Sequence, residues 1–120
     1  MAWSHQPSAP AQLDPAEAHR LAATGAAVLL DVREPEEYAE VHAPGAVPVA
    51  LDTLTDGGVP AVIGSRVVLA VCRSGNRSQA ATDLLVSLGV PAVNVAGGMR
   101  AWVRAGLPVH QGECCCGSAI

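Results

Sequence analysis

An uninterrupted apolar run, Val67-Val68-Leu69-Ala70-Val71, passes directly into Cys72 and the polar stretch Arg73-Ser74-Gly75-Asn76-Arg77-Ser78, after which a helical pattern begins. A strand that is apolar throughout is buried on both faces and needs helices on either side of its sheet. The cysteine therefore stands where a buried strand gives out into a loop. Gly75 is free to take a positive φ, and Ser78 or Asn76 can cap the following helix. Backbone N–H groups and the cations of Arg73 and Arg77 then converge on the sulfur. Such surroundings lower the pKa of a thiol and make it nucleophilic at neutral pH. A buried cysteine acting only as a small apolar side chain is the plainer alternative, but it has no use for a glycine and two arginines placed just after it.

The same alternation extends along the chain. Asp14-Pro15-Ala16-Glu17 places an N-cap, a proline at the first helical position and a glutamate at the capping-box position, which predicts a helix over Pro15 to Ala23 that stops near Gly25. Ala26 to Val32 reads as a second strand buried on both faces. Pro35 to Val41 is a short helix ended by Pro44-Gly45, Ala46 to Val49 a brief strand, Leu51 to Leu54 one helical turn, and Asp56 to Pro60 a loop. After the cysteine loop, Ala80, Ala81, Leu84, Leu85 and Leu88 fall at helical spacing, with Gln79, Asp83 and Ser87 outside that stripe, until Gly89 stops the helix. Ala92 to Val95 is a last strand, and Gly97-Gly98 turns the chain into a helix over Met99 to Ala105. Short strands alternating with helices predict the α/β class, a compact single domain with a central parallel sheet flanked by helices on both faces. Ligands in such sheets collect beyond the carboxyl ends of the strands, which is where Cys72 lies.

A chain of 120 residues holds one such domain. Residues 1–12 read as a flexible N-terminal arm, 13–109 as the domain, and 110–120 as a tail carrying Cys114-Cys115-Cys116. A net charge of −4 with scattered arginines disfavours nucleic-acid and anionic-membrane partners. No stretch has the length of a membrane span, and Met1 to Pro7 lacks both the charged and the apolar regions of a signal peptide, so the expected location is cytoplasmic, where cysteines stay reduced. No cofactor and no metal site are expected. Asp31 and Arg33 are expected to brace neighbouring loops through a salt bridge, His42 to act as a hydrogen-bonding brace, His19 to lie on an exposed helix face, and Trp102 to belong to the core.

Four motifs occur in a fixed order: Asp31-Val32-Arg33 with Glu37-Tyr38 downstream, the turn His42-Ala43-Pro44-Gly45-Ala46, the loop Cys72 to Ser78, and Gly97-Gly98-Met99-Arg100-Ala101-Trp102 ahead of Gly106-Leu107-Pro108-Val109. In order and spacing they resemble the single-domain form of the rhodanese family of sulfurtransferases, over Leu13 to Val109. Val41 and Ala43 depart from the family pattern, which usually has glycine before the histidine and a branched aliphatic after it. The resemblance implies a rhodanese-like fold and transfer of a sulfane sulfur through a persulfide on Cys72. A thiolate attacks the outer sulfur of a donor such as thiosulfate, sulfite leaves, and the persulfide passes to cyanide or a thiol. Cys72 is then the catalytic residue, and Arg73, Ser74, Gly75, Asn76, Arg77 and Ser78 bind the small anionic donor through backbone N–H groups and the two guanidinium groups.

Loop length separates this reading from a rival. Cysteine-dependent phosphatases and arsenate reductases resemble a cysteine, five residues, then arginine, whereas four residues separate Cys72 from Arg77 and Ser78 stands where that pattern requires arginine. Two further readings come from other classes: a non-catalytic or redox-regulatory module of the same family, and a soft-metal binding or detoxification protein built on the tail. The tail itself departs from the family pattern. Adjacent cysteines are strained disulfide partners, which leaves three roles for them: inert flexible thiols, a soft-metal clamp that recruits His110, or an internal protein sulfur acceptor that takes sulfur from Cys72 and closes a disulfide with it.

Overall fold

The computed structural model describes residues 12–57 and 60–112. The expected arm up to residue 11, the Gly58-Val59 part of the expected loop and the tail cysteines lie outside the described residues.

Strands β2 (Ala27–Asp31) and β4 (Val67–Val71) form the centre of the sheet, paired in parallel from Ala27 opposite Val67 to Asp31 opposite Val71. Strand β3 (Val47–Pro48) adds to the outer side of β2, and β5 (Ala92–Val95) to the outer side of β4. Beyond β5 lies β1 (Gln12–Leu13), giving the order β1-β5-β4-β2-β3 with every pairing parallel. Because side chains alternate along a strand, the central pair feeds two separate cores. Ala27, Leu29, Leu69 and Val71 pack with Ala18 of α1 (Pro15–Ala23), Tyr38 of α2 (Pro35–Glu40), and Met99 and Trp102 of α5 (Gly98–Arg104). Val28, Leu30, Val68 and Ala70 pack with Leu54 of α3 (Leu51–Gly57), and with Ala81 and Leu85 of α4 (Asn76–Ser87). Helices thus cover both faces, as the apolar strands require. Each fully buried Leu or Val contributes about 1.5–3 kcal/mol of hydrophobic stabilisation.

Several local expectations are corrected. Gln12 is not part of an arm: it pairs with Asn94 in β1, and its side-chain amide donates to Gln79. Helix α3 continues through Asp56 and Gly57 rather than ending after one turn, and a 3₁₀ turn follows at Ala61–Ile63. Asp14 caps α1 by accepting from the Ala16 N–H at 3.0 Å, but Glu17 turns to Arg20 instead of closing a capping box. The inward face of α4 is Ser78, Ala81, Thr82 and Leu85, whereas Ala80 and Leu88 are exposed. Two short polar side chains replace two apolar ones in the stripe because Ser78 is drawn to the strand ends and Thr82 bonds back to the Ser78 carbonyl. His19 is half-buried, its ring edge-on to Trp102 at 5.5 Å. His110 to Gly112 belong to the domain: His110 pairs with His42 through two backbone hydrogen bonds, and the Gly112 N–H donates to Ala39.

Candidate active site

The chain moves outward from β2 to β3, then crosses to β4 on the other side of β2. This switch of direction opens a crevice beyond the carboxyl ends of β2 and β4. Asp31 ends one strand and Val71 the other, so Arg33 and Cys72 begin the loops on either side of the crevice.

Cys72 is 1% exposed. Its Sγ accepts from the Gly75 N–H at 3.0 Å, and the Ser78 hydroxyl stands 3.3 Å away. The loop bends back on the sulfur because Gly75 adopts φ 113°, a left-handed conformation open to glycine and strained for other residues. Burial pushes the thiol pKa up. The Ser78 hydroxyl and the backbone N–H groups of Ser78, Gly75 and Ser74 act against it and prevail, leaving Cys72 below its ordinary 9.0. A hydrogen-bonding cradle thus favours the thiolate.

The cap at the start of α4 is Gly75 rather than Ser78 or Asn76. Asn76 is exposed, and Ser78 is buried with its hydroxyl between Cys72 and Asn94. Asn94, 2% exposed on β5, is a site residue that sequence reasoning missed. Its Oδ1 accepts from Ser78 at 2.5 Å, and its Nδ2 donates to the Gly75 carbonyl at 3.2 Å. The signal was an amide inside the apolar run Ala92-Val93-Asn94-Val95, since a buried polar side chain requires partners.

The two loop arginines part company. Arg77 makes a bidentate pair with Glu37 of α2, at 2.8 and 3.0 Å, which lowers the Glu37 carboxyl from 4.5 to about 2. Arg73 is exposed and without a side-chain partner among the described residues. It lines a groove of about 720 Å³ together with Met99, Arg100, Val103 and Arg104 of α5 and Glu37, Glu40 and Val41 on the facing side. The α5 arginines were also missed. They reach the site because the Met99 and Arg100 N–H groups donate to the carbonyls of Cys72 and Arg73, at 2.7 and 3.0 Å. Arg33, also part of the groove lining, is buried against Asp31, with Nη2 at 2.8 Å from Oδ2, and reaches the Val41 carbonyl, which is the expected structural brace. His42 is also a brace, with Nδ1 2.9 Å from the Tyr38 carbonyl.

Residues 14–105 match the family model of the rhodanese-like domain. The chain belongs to the rhodanese-like family. A thiosulfate sulfurtransferase from Pseudomonas aeruginosa superposes on this rhodanese-like domain with a TM-score of 0.77 and 30% identity, over 93% of this chain and 22% of that one. A rhodanese-related protein from Thermoplasma volcanium superposes with a TM-score of 0.74 and 28% identity, over 82% and 96% of the two chains. An uncharacterised protein of Synechocystis is 40% identical over 84 residues, 69% of this chain. The chain spans 46% of that relative's length. No helix among the described residues is long and apolar enough to cross a membrane.

Proposed function

We propose that this rhodanese-like domain is a sulfurtransferase that carries a sulfane sulfur as a persulfide on Cys72. The observation that supports it best is the hydrogen-bonding of the sulfur: a buried Sγ held by the Gly75 N–H and the Ser78 hydroxyl, with its pKa lowered by N–H groups of the loop. The Cys72 thiolate attacks the outer sulfur of thiosulfate, the S–S bond of the donor breaks, and sulfite leaves with the bonding pair. A thiol or cyanide then attacks the outer sulfur of the persulfide, and Cys72 leaves as a thiolate. The cradle serves both steps because it stabilises negative charge on sulfur, whichever sulfur carries it.

The anionic donor approaches through the arginine groove, with Arg73 as its principal partner and Arg100 beside it. Arg77 keeps its pair with Glu37, holding the loop to α2 and lending a positive field to the sulfur. Four residues separate Cys72 from Arg77 and three separate it from the start of α4, a short loop that suits a single sulfur rather than a tetrahedral phosphate. The similarity to a thiosulfate sulfurtransferase supports this choice of donor.

Intact mass spectrometry after incubation with thiosulfate tests the reading. One added sulfur is expected, removable by cyanide or dithiothreitol and absent from Cys72→Ser. A folded protein with a free thiol and no such adduct overturns it.

A further inference from the structure

Granted the sulfurtransferase reading, on which this rests, we propose that the arginine groove beside Cys72 docks the sulfur acceptor, and that the acceptor it fits is a cysteinyl peptide carrying carboxylates next to its thiol. On a chain with a net charge of −4, the unpaired cations gather in one place. Of the seven arginines, Arg20, Arg33 and Arg77 each hold a carboxylate. Arg73, Arg100 and Arg104 form no ion pair among the described residues, and all three line the groove. On the facing side Arg77 already neutralises Glu37, which leaves Glu40 as the one carboxylate of the lining without a cation among the described residues. The groove is thus a positive island on a negative protein, and it attracts anions over about 10 Å at about 0.1 M salt.

Its size exceeds what the donor needs. Thiosulfate is an ion of two sulfurs and three oxygens, whereas about 720 Å³ falls within the range of about 300–1,000 Å³ that holds a drug-sized ligand. Arg104 follows Arg100 by four residues on α5, about 6 Å along the helix axis, so a donor held at Arg73 and Arg100 leaves it unused. A cation in the last turn of α5 does complement the helix dipole. That accounts for neither Arg100 nor Val103, which share a face with Arg104 at helical spacing. Val103 is 52% exposed, and with Met99 and Val41 it gives the groove apolar lining beside the charges, the make-up of a surface that binds a peptide. The Met99 and Arg100 N–H groups fasten the start of α5 to the carbonyls of Cys72 and Arg73, so this wall begins at the sulfur loop and leads away from it. A peptide lying along α5 brings its thiol to the Arg73 end and its carboxylates to Arg100 and Arg104.

The acceptor thiol reacts as a thiolate, its proton released to solvent, and neighbouring guanidinium groups favour that charge. The thiolate attacks the outer sulfur of the Cys72 persulfide, the S–S bond of the persulfide breaks, and Cys72 leaves as a thiolate while the peptide carries the sulfur away. No further reactant is required. The arginines along α5 hold the peptide carboxylates through charge-assisted hydrogen bonds. Each exposed contact of this kind is worth up to about fivefold in affinity. The charge of the whole protein would by itself favour a basic peptide, so a preference for an acidic one has to come from the groove.

The test mixes full-length protein, loaded with sulfur from thiosulfate, with the peptide acetyl-Glu-Glu-Cys-Gly-amide or its Gln-Gln and Lys-Lys counterparts, and follows the peptide persulfide by mass spectrometry. At low salt the acidic peptide is expected to give a kcat/KM about tenfold above that of the Lys-Lys peptide, and the ratio to shrink toward one at high salt. Arg104→Gln, folded by circular dichroism, is expected to lower kcat/KM for the acidic peptide about threefold to fivefold, chiefly through KM, and to narrow its gap from the Gln-Gln peptide. An NMR titration of the wild-type protein with the serine analogue of the acidic peptide reads docking without sulfur transfer, and the amide shifts are expected along Arg100 to Arg104. Equal or better transfer to the Lys-Lys peptide, an Arg104→Gln variant indistinguishable from wild type, or shifts confined to surfaces away from α5 overturn the docking groove. Absence of sulfur on Cys72, with the shifts still on α5, overturns the sulfurtransferase reading instead and leaves the groove standing as a peptide site.

Discussion

The Ser78 hydroxyl stands 2.5 Å from Oδ1 of Asn94, and the same oxygen lies 3.3 Å from Cys72 Sγ. A hydroxyl has one proton to donate. Asn94 therefore fixes where the Ser78 oxygen sits and competes with the sulfur for its proton, while its own amide group holds the Gly75 carbonyl and with it the bend of the loop. A β5 residue that makes no hydrogen bond to Cys72 thus shapes the cradle from below.

Removing the hydroxyl isolates its share. Ser78→Ala deletes a donor that favours the charged sulfur, so the pH profile of Cys72 alkylation by iodoacetamide should move to higher pH. The rate at neutral pH should fall about tenfold, the equivalent of one hydrogen bond of ~1.4 kcal/mol. An unchanged profile would show that the backbone N–H groups suffice alone.

The layers were legible because Val67 to Val71 and Ala27 to Leu30 are apolar at every position, which only a doubly covered sheet explains. The place of Cys72 at the carboxyl end of β4 was legible because it follows the strand directly. What was hidden depended on contacts distant in sequence. Arg77 looked free for an anion until the fold brought Glu37, forty residues away, into bidentate contact. Ser78 looked like a helix cap until Asn94 was found beneath it. The apolar stripe of α4 misled for the same reason, since Ser78 and Thr82 turn inward toward bonds that helical spacing does not encode.

Two glycines of the site should respond differently to a methyl group. At Gly98 an added Cβ would lie 2.4 Å from the Cys72 carbonyl oxygen and 2.7 Å from Arg73 backbone atoms, at φ +61°. Since that backbone is the cradle's own support, Gly98→Ala should cost about 3 kcal/mol or more and reduce sulfur loading of whatever folds. At Gly75 the nearest atom is 3.7 Å away, leaving only the left-handed strain of about 1–2 kcal/mol. Urea denaturation of both variants compares the costs, and equal losses would contradict the close approach of α5 to the loop.

The Glu37–Arg77 pair predicts a pH-dependent component of stability. Its carboxyl, lowered from 4.5 to about 2 by Arg77, binds protons more weakly in the folded chain than in the unfolded one. The stabilisation is therefore complete above pH 4.5 and declines as the pH falls toward 2. Both side chains are about one-third exposed, so solvent screening limits the contribution to about 1 kcal/mol. The difference in urea midpoint between wild type and Glu37→Gln should be constant near neutrality and shrink through that window. A difference that grew on acidification would reverse the assignment.

Asp31 and Arg33 form the tighter brace, since both are buried, at 0% and 5% exposure, at the mouth of the crevice. Two guanidinium nitrogens and the backbone N–H of Arg33 bond Asp31, and Nη2 also bonds the Val41 carbonyl. Asp31→Ala leaves a guanidinium without its counter-charge in a site closed to water, which should destabilise the domain by about 3–5 kcal/mol. The pair itself is worth less than that loss, because forming it required both groups to be desolvated. Adding Arg33→Leu to Asp31→Ala removes the stranded cation and should recover part of the stability, although the Val41 carbonyl then loses its donor. Guanidinium denaturation of wild type, both single variants and the double variant completes the cycle. If the double variant were as unstable as the sum of the single variants, the two residues would be acting independently, and the brace between the β2 loop and the end of α2 would have to lie in the Arg33 to Val41 bond instead.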